Sequence, residues 1–490
     1  MARELVIALD IGTTSAKAVI FELNGKLVAE AERMITSYYP HVGWVEQDPV
    51  EIEQAAVGAM KDVIAKANSK QDELLTLGIS CAMHALICVD EHYQPLSQAI
   101  IWADGRSNEQ AQELKKTVGN EIYAKTGLPN HPMSPLSKLL WMKETAFEPY
   151  QQASYFMSTK EYIIQKWFGR RLIDYSMASA TGLFNMTTFD WDEQALALAG
   201  VDKKQLSDIV PPTEILMGID KGIAAEMGIS SNMPVVIGSA DGQLSNLGSG
   251  AISPGEVAIS AGTSGAIRQM ITGFDVSEHQ ETFCYAFTRD LSIIGGPTNN
   301  GGIALQWLKE LIEYGGSFDE LTAEAEQVAP GAEGLLFLPY INGERAPLWN
   351  QEAKGNFFGL SITHKKEHLV RAVLEGITYN LYHIGKALER QAGEPDKLFV
   401  NGGLARSPLW VQMLADVFGK EVYLSESHHS AAWGAAWTAL VAVGKVDSFE
   451  DIKHNIPIEA IIKPNQQNHD IYRKAFEKYE MIAKDLAKYF

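Results

Sequence analysis

Apolar residues recur along this chain with two periods, one typical of buried strands and one typical of amphipathic helices. Residues 5–9 and 74–80 are short apolar runs that predict buried strands. Over residues 49–66 and 366–391 the apolar positions recur about every 3.6 residues, which predicts helices. Strand and helix signals alternate along the sequence. We therefore predict an α/β fold made of two sheet-based lobes.

The N-terminal segment has the pattern of a hairpin with a polar tip. Two apolar strands flank the turn Gly12-Thr13-Thr14, and Asn24-Gly25, a strong turn signal, follows the second strand. Backbone N–H groups and hydroxyls at such a tip can bind a phosphate chain. Asp10, at the end of the first strand, is placed to hold Mg²⁺. Taken alone, the segment fits an ordinary polar hairpin equally well.

A second copy of this pattern lies half a chain away. Apolar strands flank Gly262-Thr263-Ser264-Gly265 within residues 256–270. A phosphate-binding hairpin in each half of the chain predicts two related domains that hold one nucleotide from opposite sides. The domain change is expected between residues 245 and 256.

Further polar residues follow strands at the predicted cleft. Asp241 ends an apolar strand before Gly242, so it suits a general base for a hydroxyl that attacks a phosphate, although it could instead cap the following helix. The double glycine Gly402-Gly403 allows a ligand to approach the backbone closely, but it also fits a plain turn.

A second polar cluster suits sugar hydroxyls. Met83-His84 and the segment Trp102, Asp104 and Arg106 each follow strands of the first half. Trp102 would supply an apolar face. A structural histidine at His84 and a surface ion pair between Asp104 and Arg106 remain open as alternatives.

Composition and net charge indicate which kinds of binding partner and which cellular compartment to expect. The chain has 490 residues, 46% of them hydrophobic, and a formal net charge of −20, which argues against nucleic acid or an anionic membrane as partner. Its cysteines, Cys81, Cys88 and Cys284, match no metal spacing and leave one unpaired, as is typical of a reducing cytosol. No leader or membrane-spanning apolar run is visible in the sequence, so we expect a cytoplasmic protein.

These motifs, in this order, resemble the FGGY family of carbohydrate kinases over essentially the whole chain. Residues 133–141 (Met-Ser-Pro-Leu-Ser-Lys-Leu-Leu-Trp) and 355–360 (Gly-Asn-Phe-Phe-Gly-Leu) are also similar to that family's signatures. The resemblance implies two ribonuclease-H-like lobes, as in the actin, Hsp70 and sugar-kinase superfamily, with the active site in the cleft between them. It implies an N-terminal, sugar-binding lobe at 1–246 and a C-terminal, ATP-binding lobe at 247–490, whose last helix could pack back on the first lobe.

The resemblance also implies roles for single residues. Asp241 matches the catalytic base, and Asp10 matches the Mg²⁺-associated aspartate. The nucleotide-contacting positions are Thr13, Thr14, Lys17, Gly262, Thr263, Gly302, Gly403 and Ser407. The sugar-site positions are Met83, His84, Trp102, Asp104, Arg106 and Asp241. Gly242 stands where many members carry an amide side chain, so a sugar contact is not transferred to Gln243.

Residues 240–248, 296–302 and 343–347 are most similar to family members that act on D-gluconate. The resemblance thus implies ATP with Mg²⁺, and D-gluconate as the sugar acid that is phosphorylated on its primary hydroxyl. The substrate carboxylate needs a cation or oriented amides, and Arg106, Lys138 and Arg345 are the candidates. D-Xylulose is the alternative substrate.

Two other classes of protein are alternatives to a sugar kinase. A nucleotide-dependent assembly or chaperone protein would share the two hairpins but lack the sugar-site elements. A silent sugar sensor would share the fold, and the intact Asp241 argues against it. A homodimer is the default expectation for a soluble enzyme of this kind.

Overall fold

The computed structural model describes residues 3–425, 429–456 and 458–490. Strands and helices alternate along the chain and form two sheet-based lobes, so the predicted α/β fold is confirmed. The strands are β1 (Leu5–Ile11), β2 (Ser15–Glu22), β3 (Leu27–Met34), β4 (Glu46–Gln47), β5 (Leu74–Cys81), β6 (Ile87–Val89), β7 (Ala99–Ile100), β8 (Tyr155–Met157), β9 (Leu172–Asp174), β10 (Phe184–Asn185), β11 (Asp190–Trp191), β12 (Asp208–Val210), β13 (Ile215–Leu216), β14 (Val235–Ala240), β15 (Glu256–Ala261), β16 (Gly265–Thr272), β17 (Phe283–Ala286), β18 (Leu291–Thr298), β19 (Leu336–Leu338), β20 (Asn356–Phe358), β21 (Lys397–Asn401), β22 (Glu421–Ser425) and β23 (Ile458–Ile462).

The α-helices lie between these strands and cover the sheets. They are α1 (Pro49–Ala67), α2 (Asn108–Lys116), α3 (Gly119–Thr126), α4 (Pro135–Glu144), α5 (Glu148–Gln152), α6 (Thr159–Phe168), α7 (Tyr175–Ser179), α8 (Glu193–Ala199), α9 (Lys221–Met227), α10 (Asp241–Gly248), α11 (Gly302–Leu311), α12 (Phe318–Ala325), α13 (Lys366–Ala392), α14 (Pro408–Phe418), α15 (Ser430–Ala442) and α16 (Gln466–Leu486).

The two large sheets repeat one topology. Within the described residues, the first sheet has the order β13-β14-β5-β1-β2-β3 and the second has the order β17-β18-β16-β15-β21-β22-β23. In each, a hairpin (β1–β2 or β15–β16) continues antiparallel into a third strand, while its first strand pairs in parallel with a later strand. The phosphate-hairpin motifs noted in the sequence therefore occupy equivalent positions in the two lobes.

Helix α15 joins the second half of the chain to the first sheet. It packs on β1, β5 and α10, and its small residues allow a very close approach. A Cβ atom on Gly78 of β5 would lie 2.1 Å from the Ala435 carbonyl oxygen, and one on Gly434 would lie 2.0 Å from the Leu244 carbonyl oxygen. Glycine is needed at both positions because any side chain would overlap the neighbouring backbone.

The last long helix, α16, packs on α13, α14 and β19 of its own lobe. Its buried stripe consists of Tyr472, Phe476, Tyr479 and Ala483. The Tyr479 hydroxyl lies 3.2 Å from the Tyr340 hydroxyl, and the Tyr472 hydroxyl accepts a hydrogen bond from Arg371. The aromatic stripe of α16 therefore packs within the C-terminal lobe. Helix α15 contacts the first sheet, as described above.

Over the part of the chain that the structure describes, no helix is both long and apolar enough to span a membrane.

Candidate active site

The tip of the β1–β2 hairpin is a tight, hydroxyl-rich turn. The Gly12 N–H donates a hydrogen bond to the Ser15 carbonyl oxygen, at 2.9 Å. Thr13 is half-buried and Thr14 is exposed. Both side chains are therefore accessible to a ligand at the tip, as a phosphate site requires.

Asp10 lies beside this tip near the end of β1. The Ser80 hydroxyl donates a hydrogen bond of 2.6 Å to its Oδ1 atom, and Lys17 stands opposite it in the β1–β2 register. Burial raises the pKa of Asp10, while Ser80 and Lys17 act in the opposite direction. A buried carboxylate next to a phosphate-binding turn is the oxygen donor that Mg²⁺ prefers, so the residues present fit this ion.

The β15–β16 tip has the same internal geometry. The Gly262 N–H donates to the Ser264 carbonyl oxygen, again at 2.9 Å. The N–H groups of Gly302 and Ile303 donate to the carbonyl oxygens of Gly262 and Thr263, at 2.7 and 3.1 Å. The first turn of α11 is thereby fixed to this tip.

A cavity of about 810 Å³ opens beside the second tip in the C-terminal lobe. It brings together Gly262, Thr263, Gly302, Gly403 and Ser407, which are the nucleotide-contacting positions expected in this half of the chain. Apolar side chains, among them Leu305 and Phe318, line part of the same cavity. A pocket that combines an apolar wall with a phosphate-binding turn suits an adenine nucleotide.

A second cavity, of about 260 Å³, lies between the lobes. The residues that line it include Thr13, Met83, His84, Trp102 and Asp241 from the first half of the chain, and Ser264, Arg268, Tyr285 and Arg345 from the second. Four of the predicted sugar-site residues, Met83, His84, Trp102 and Asp241, thus share one cavity, and both hairpin tips border it.

His84 is a neutral side chain in the wall of this cavity. Its Nδ1 atom lies 2.8 Å from the Ala180 carbonyl oxygen and therefore carries the proton, because a carbonyl only accepts. Its Nε2 atom faces the Tyr285 hydroxyl at 3.4 Å. Burial first and then the Lys138 charge lower the pKa of His84 to about 3. The ring is thus set to accept a hydrogen bond on the cavity side.

Trp102 lines the cavity, but Asp104 and Arg106 lie behind it. The Trp102 indole N–H donates to the Thr13 hydroxyl at 2.8 Å, which links this part of the cavity wall to the tip of the β1–β2 hairpin. The Arg106 guanidinium donates to Asp104 at 2.8 and 2.9 Å and to Glu46 at 2.6 Å, and its side chain is 0% exposed. The geometry gives this pair a supporting role rather than a place in the cavity wall.

Asp241 begins α10 directly after the fully buried strand β14. The Gly242 N–H donates to its Oδ1 atom at 2.7 Å, so the carboxylate caps only the amide of its own neighbour. Burial, followed by repulsion from Asp10, raises the pKa of Asp241 to about 6, although Arg268 draws it down. A carboxylate that is ionised at neutral pH yet unusually basic is suited to accept a proton from a hydroxyl.

Lys138 is a structural cation, and this removes it as a ligand for a substrate carboxylate. Its Nζ atom donates to the carbonyl oxygens of His84, Ile100 and Ile101, at 2.6, 3.0 and 2.9 Å. An ammonium group has three N–H bonds, and all are used here. Lys138 therefore pins the two loops that carry His84 and Trp102.

Arg345 is the cavity-lining member of the three cations proposed for a carboxylate. Its Nη2 atom donates to the Thr298 carbonyl oxygen at 3.2 Å, and its guanidinium lies 4.8 Å from the centre of the Trp102 ring. Among the described residues, no hydrogen-bond acceptor meets its buried Nε atom. Burial lowers the pKa of Arg345 to about 10, so it remains protonated at neutral pH.

Among the residues that line this cavity, Arg268 and Tyr285 were missed in the sequence analysis. A signal for Arg268 was present, since it is the one charged residue of β16, the strand that follows the second glycine turn. Tyr285 gave no comparable signal, because β17 is a short apolar run with no special spacing.

Comparisons with known proteins agree with this geometry. The model for the FGGY family of carbohydrate kinases, N-terminal domain, matches residues 5–248, and that for the C-terminal domain matches residues 257–443. A gluconokinase from Bacillus licheniformis is 42% identical over 98% of this chain and 96% of its own. A xylulose kinase from Staphylococcus epidermidis (strain ATCC 12228 / FDA PCI 1200) is 30% identical over 99% and 97%.

A solved structure agrees as well. The crystal structure of gluconate kinase from Lactobacillus acidophilus superposes with a TM-score of 0.95 and 33% identity, covering 99% of this chain and 98% of that one. The expected two-lobe architecture is thereby confirmed. The cleft between two equivalent lobes, the paired phosphate tips and these matches lead to one conclusion: the chain belongs to the FGGY family of carbohydrate kinases.

Proposed function

We propose that this kinase transfers the γ-phosphoryl group of Mg-ATP to the primary hydroxyl of D-gluconate and forms 6-phospho-D-gluconate. The proposal is supported by the higher identity to a gluconokinase, 42%, than to a xylulose kinase, 30%. The observation that carries it is Arg345, a buried guanidinium at the cavity wall whose Nε atom meets no acceptor among the described residues. A bound carboxylate would supply that acceptor, because an arginine fork pairs well with carboxylate oxygens.

The runner-up substrate, D-xylulose, is a neutral sugar. It would fill the same cavity and meet the same base, but it would bring no negative charge to Arg345. Leaving a buried charged donor without a strong acceptor is costly. The charge of the cavity wall therefore favours a sugar acid.

The proposed chemistry starts with a proton transfer. Asp241 accepts the proton of the primary hydroxyl while the oxygen of that hydroxyl forms a bond to the γ-phosphorus. The bond between the γ-phosphorus and the bridging oxygen breaks, and ADP leaves. Thr13, Thr14 and Lys17 from one tip, and Gly262 and Thr263 from the other, hold the phosphates. Asp10 is the residue we assign to Mg²⁺, which would neutralise charge on the phosphate oxygens.

The sugar is oriented by Met83, His84 and Trp102 in the cavity wall. His84 is neutral and offers Nε2 as an acceptor, so it can receive a hydrogen bond from a substrate hydroxyl. Gly302, Gly403 and Ser407 bind the nucleotide beyond the phosphates. Since water would compete with the sugar hydroxyl for the phosphoryl group, we expect the lobes to close before transfer.

The experiment that tests the substrate assignment is Arg345→Gln. The neutral amide keeps the length of the side chain but loses the charge, so we expect the KM for D-gluconate to rise about 10- to 150-fold, the effect of a lost charged hydrogen bond. The KM for ATP should stay within a few-fold, which shows that the lobes are intact. Arg390→Gln, which alters an exposed arginine paired with Glu281, is the matched control and should leave both constants unchanged. An unaltered KM for D-gluconate in Arg345→Gln would refute the role.

A further inference from the structure

The Arg268 side chain, on β16, has room because two other elements, β18 and α10, carry glycines beside it. It lies on β16, on the same face as the cavity-lining residue Ala266, while the intervening Ile267 is buried on the other face. Gly295 of β18 is its direct cross-strand partner, and a Cβ atom there would lie 3.1 Å from the Arg268 Cγ atom. A Cβ atom on Gly242, at the start of α10, would lie 3.1 Å from its Nε atom.

The absence of a side chain at Gly242 leaves room for the guanidinium of Arg268. A side chain at position 242 would crowd this group, which lies beside the Gly242 backbone. The charged group comes from the opposite half of the chain, so it reaches across the cleft toward the residue that follows Asp241.

The guanidinium is only lightly held by the protein. Its Nη1 atom donates to the Ser260 hydroxyl at a long 3.3 Å. Asp241 and Arg268 influence each other's pKa, yet between these two described residues no nitrogen–oxygen pair comes within 4.0 Å. The two opposite charges therefore face each other across a gap rather than forming an ion pair.

That gap lies on the route of the phosphoryl group. Arg268 is three residues beyond Gly265, which ends the second phosphate turn, and both residues line the inter-lobe cavity together with Asp241 and Ser264. A phosphoryl group that passes from the second tip to a hydroxyl held at Asp241 must cross this space. Charge on its equatorial oxygens is what an arginine with free N–H donors stabilises best.

We propose that Arg268 is a catalytic residue that binds the phosphoryl group during its transfer from ATP to the sugar hydroxyl. It donates hydrogen bonds to the equatorial oxygens and keeps all its protons, while the hydroxyl proton goes to Asp241. The role rests on the phosphotransfer proposed above and is independent of which sugar is the acceptor.

The test is a steady-state comparison of Arg268→Ala, Arg268→Lys and Gly242→Ala with the wild type, run with the best sugar substrate. In Arg268→Ala we expect kcat to fall by about 10³-fold or more, the usual effect of losing such an arginine. The KM values for sugar and ATP should stay within a few-fold. Guanidinium ions added to Arg268→Ala should restore part of kcat, and Arg268→Lys should retain an intermediate rate. Gly242→Ala keeps the arginine but displaces its guanidinium, so its kcat should also fall to an intermediate value.

Two further readouts separate a catalytic role from a structural one. Arg268→Ala should still bind ADP. It should lose tight binding of the complex of ADP, aluminium fluoride and sugar, in which aluminium fluoride mimics the phosphoryl group in the transition state. The acidic limb of its kcat/KM profile should move to higher pH, because Arg268 lowers the pKa of Asp241. Arg289→Ala, which removes an exposed arginine of the same lobe, is the matched control.

A kcat within threefold of wild type in Arg268→Ala would overturn the proposal. So would a loss confined to the KM for the sugar acid, since that result would make Arg268 a ligand of the substrate carboxylate. If D-xylulose proves the better substrate while Arg268→Ala still loses kcat, the substrate assignment fails and the role of Arg268 stands.

Discussion

Asp241 acquires its basicity from its surroundings rather than from its sequence position. It follows a strand without exposed residues, and Asp10 adds a second negative charge nearby. Both effects oppose ionisation and raise its pKa to about 6, while Arg268 keeps it from rising further. Near neutral pH such a carboxylate is ionised and can take up a proton, which is the balance a general base needs.

Replacing Asp241 with Asn should abolish most activity and stabilise the fold. We expect kcat to fall by about 10²- to 10⁴-fold or more as the base is lost. The carboxyl group has a higher pKa in the folded protein, about 6, than its ordinary value of 3.8, so ionisation costs stability once the pH exceeds both. The variant should thus gain at most about 3 kcal/mol at pH 8, and nothing below about pH 4.

Thermal or urea unfolding of the two proteins without ligands, at pH 4 and at pH 8, measures this gain. The uncharged Asn side chain is close in shape to Asp and is itself the control for packing. Equal stability of the two proteins at pH 8 would contradict the raised pKa of Asp241. Near-normal turnover of Asp241→Asn would contradict its role as the general base.

Sequence identifies the residue types at the site but not their partners. Arg106, Lys138 and Arg345 were equivalent candidates for a carboxylate in the sequence, since each is a cation near a site motif. Only side-chain packing separates them: Arg106 is paired with Asp104 and Glu46, and Lys138 is saturated by backbone carbonyls. The Asp104–Arg106 pair is local, but the contacts with Glu46 and with the carbonyls around Lys138 join positions far apart in the chain, which no local pattern encodes.

At the scale of elements, we propose that the hairpin tips and the glycine turn after β21 bind the nucleotide through their backbone. Gly402 has φ of +96°, and a Cβ atom on it would lie 2.5 Å from the Ala261 carbonyl oxygen. The neighbouring strands β15 and β21 are paired in parallel, so this contact is fixed by the sheet. Glycine is needed there because both the dihedral angle and the space exclude a side chain.

We therefore expect Gly402→Ala to disturb the loop that carries Gly403 and Ser407. The strain of a positive φ, about 1–2 kcal/mol, together with the overlap should raise the KM for ATP at least about tenfold. The KM for the sugar should change by less than threefold, because that cavity lies elsewhere. Gly58→Ala on α1 is the control, since its Cβ atom would sit 3.5 Å from the Arg33 side chain, an ordinary contact. An unchanged KM for ATP in Gly402→Ala would contradict the nucleotide assignment of this loop.

The positions of the long helices were predicted well from the period of the hydrophobic residues. The helix predicted at 366–391 is α13 (Lys366–Ala392), and the one predicted at 49–66 is α1 (Pro49–Ala67). The sequence predicts a helix over residues 304–314, whereas α11 (Gly302–Leu311) begins two residues earlier, because its first N–H groups bond to the second hairpin tip. Such tertiary hydrogen bonds extend an element beyond its own hydrophobic pattern.

At the scale of the whole molecule, two lobes of one topology place a phosphate tip on each side of the cleft. The predicted boundary between residues 246 and 247 falls in α10 (Asp241–Gly248), and we propose that this helix joins the lobes. It carries Asp241 at its start and packs tightly on α15, so movement of the lobes would act directly on the base. The repeated hairpin motif was sufficient to predict this duplication. The packing of α15 on the first sheet could not be predicted, because the sequence of an alanine-rich helix does not indicate which element it contacts.

A homodimer stays a prediction.

The most direct test of the whole account is a coupled ADP-release assay with Mg-ATP and a panel of D-gluconate, D-xylulose, L-ribulose, L-rhamnulose, L-fuculose and glycerol. We predict that D-gluconate has the highest kcat/KM, at least about tenfold above each neutral sugar, because only it carries a partner for Arg345. A preference for D-xylulose would contradict the substrate assignment, and no stimulation by any sugar of the panel would contradict the proposed activity itself.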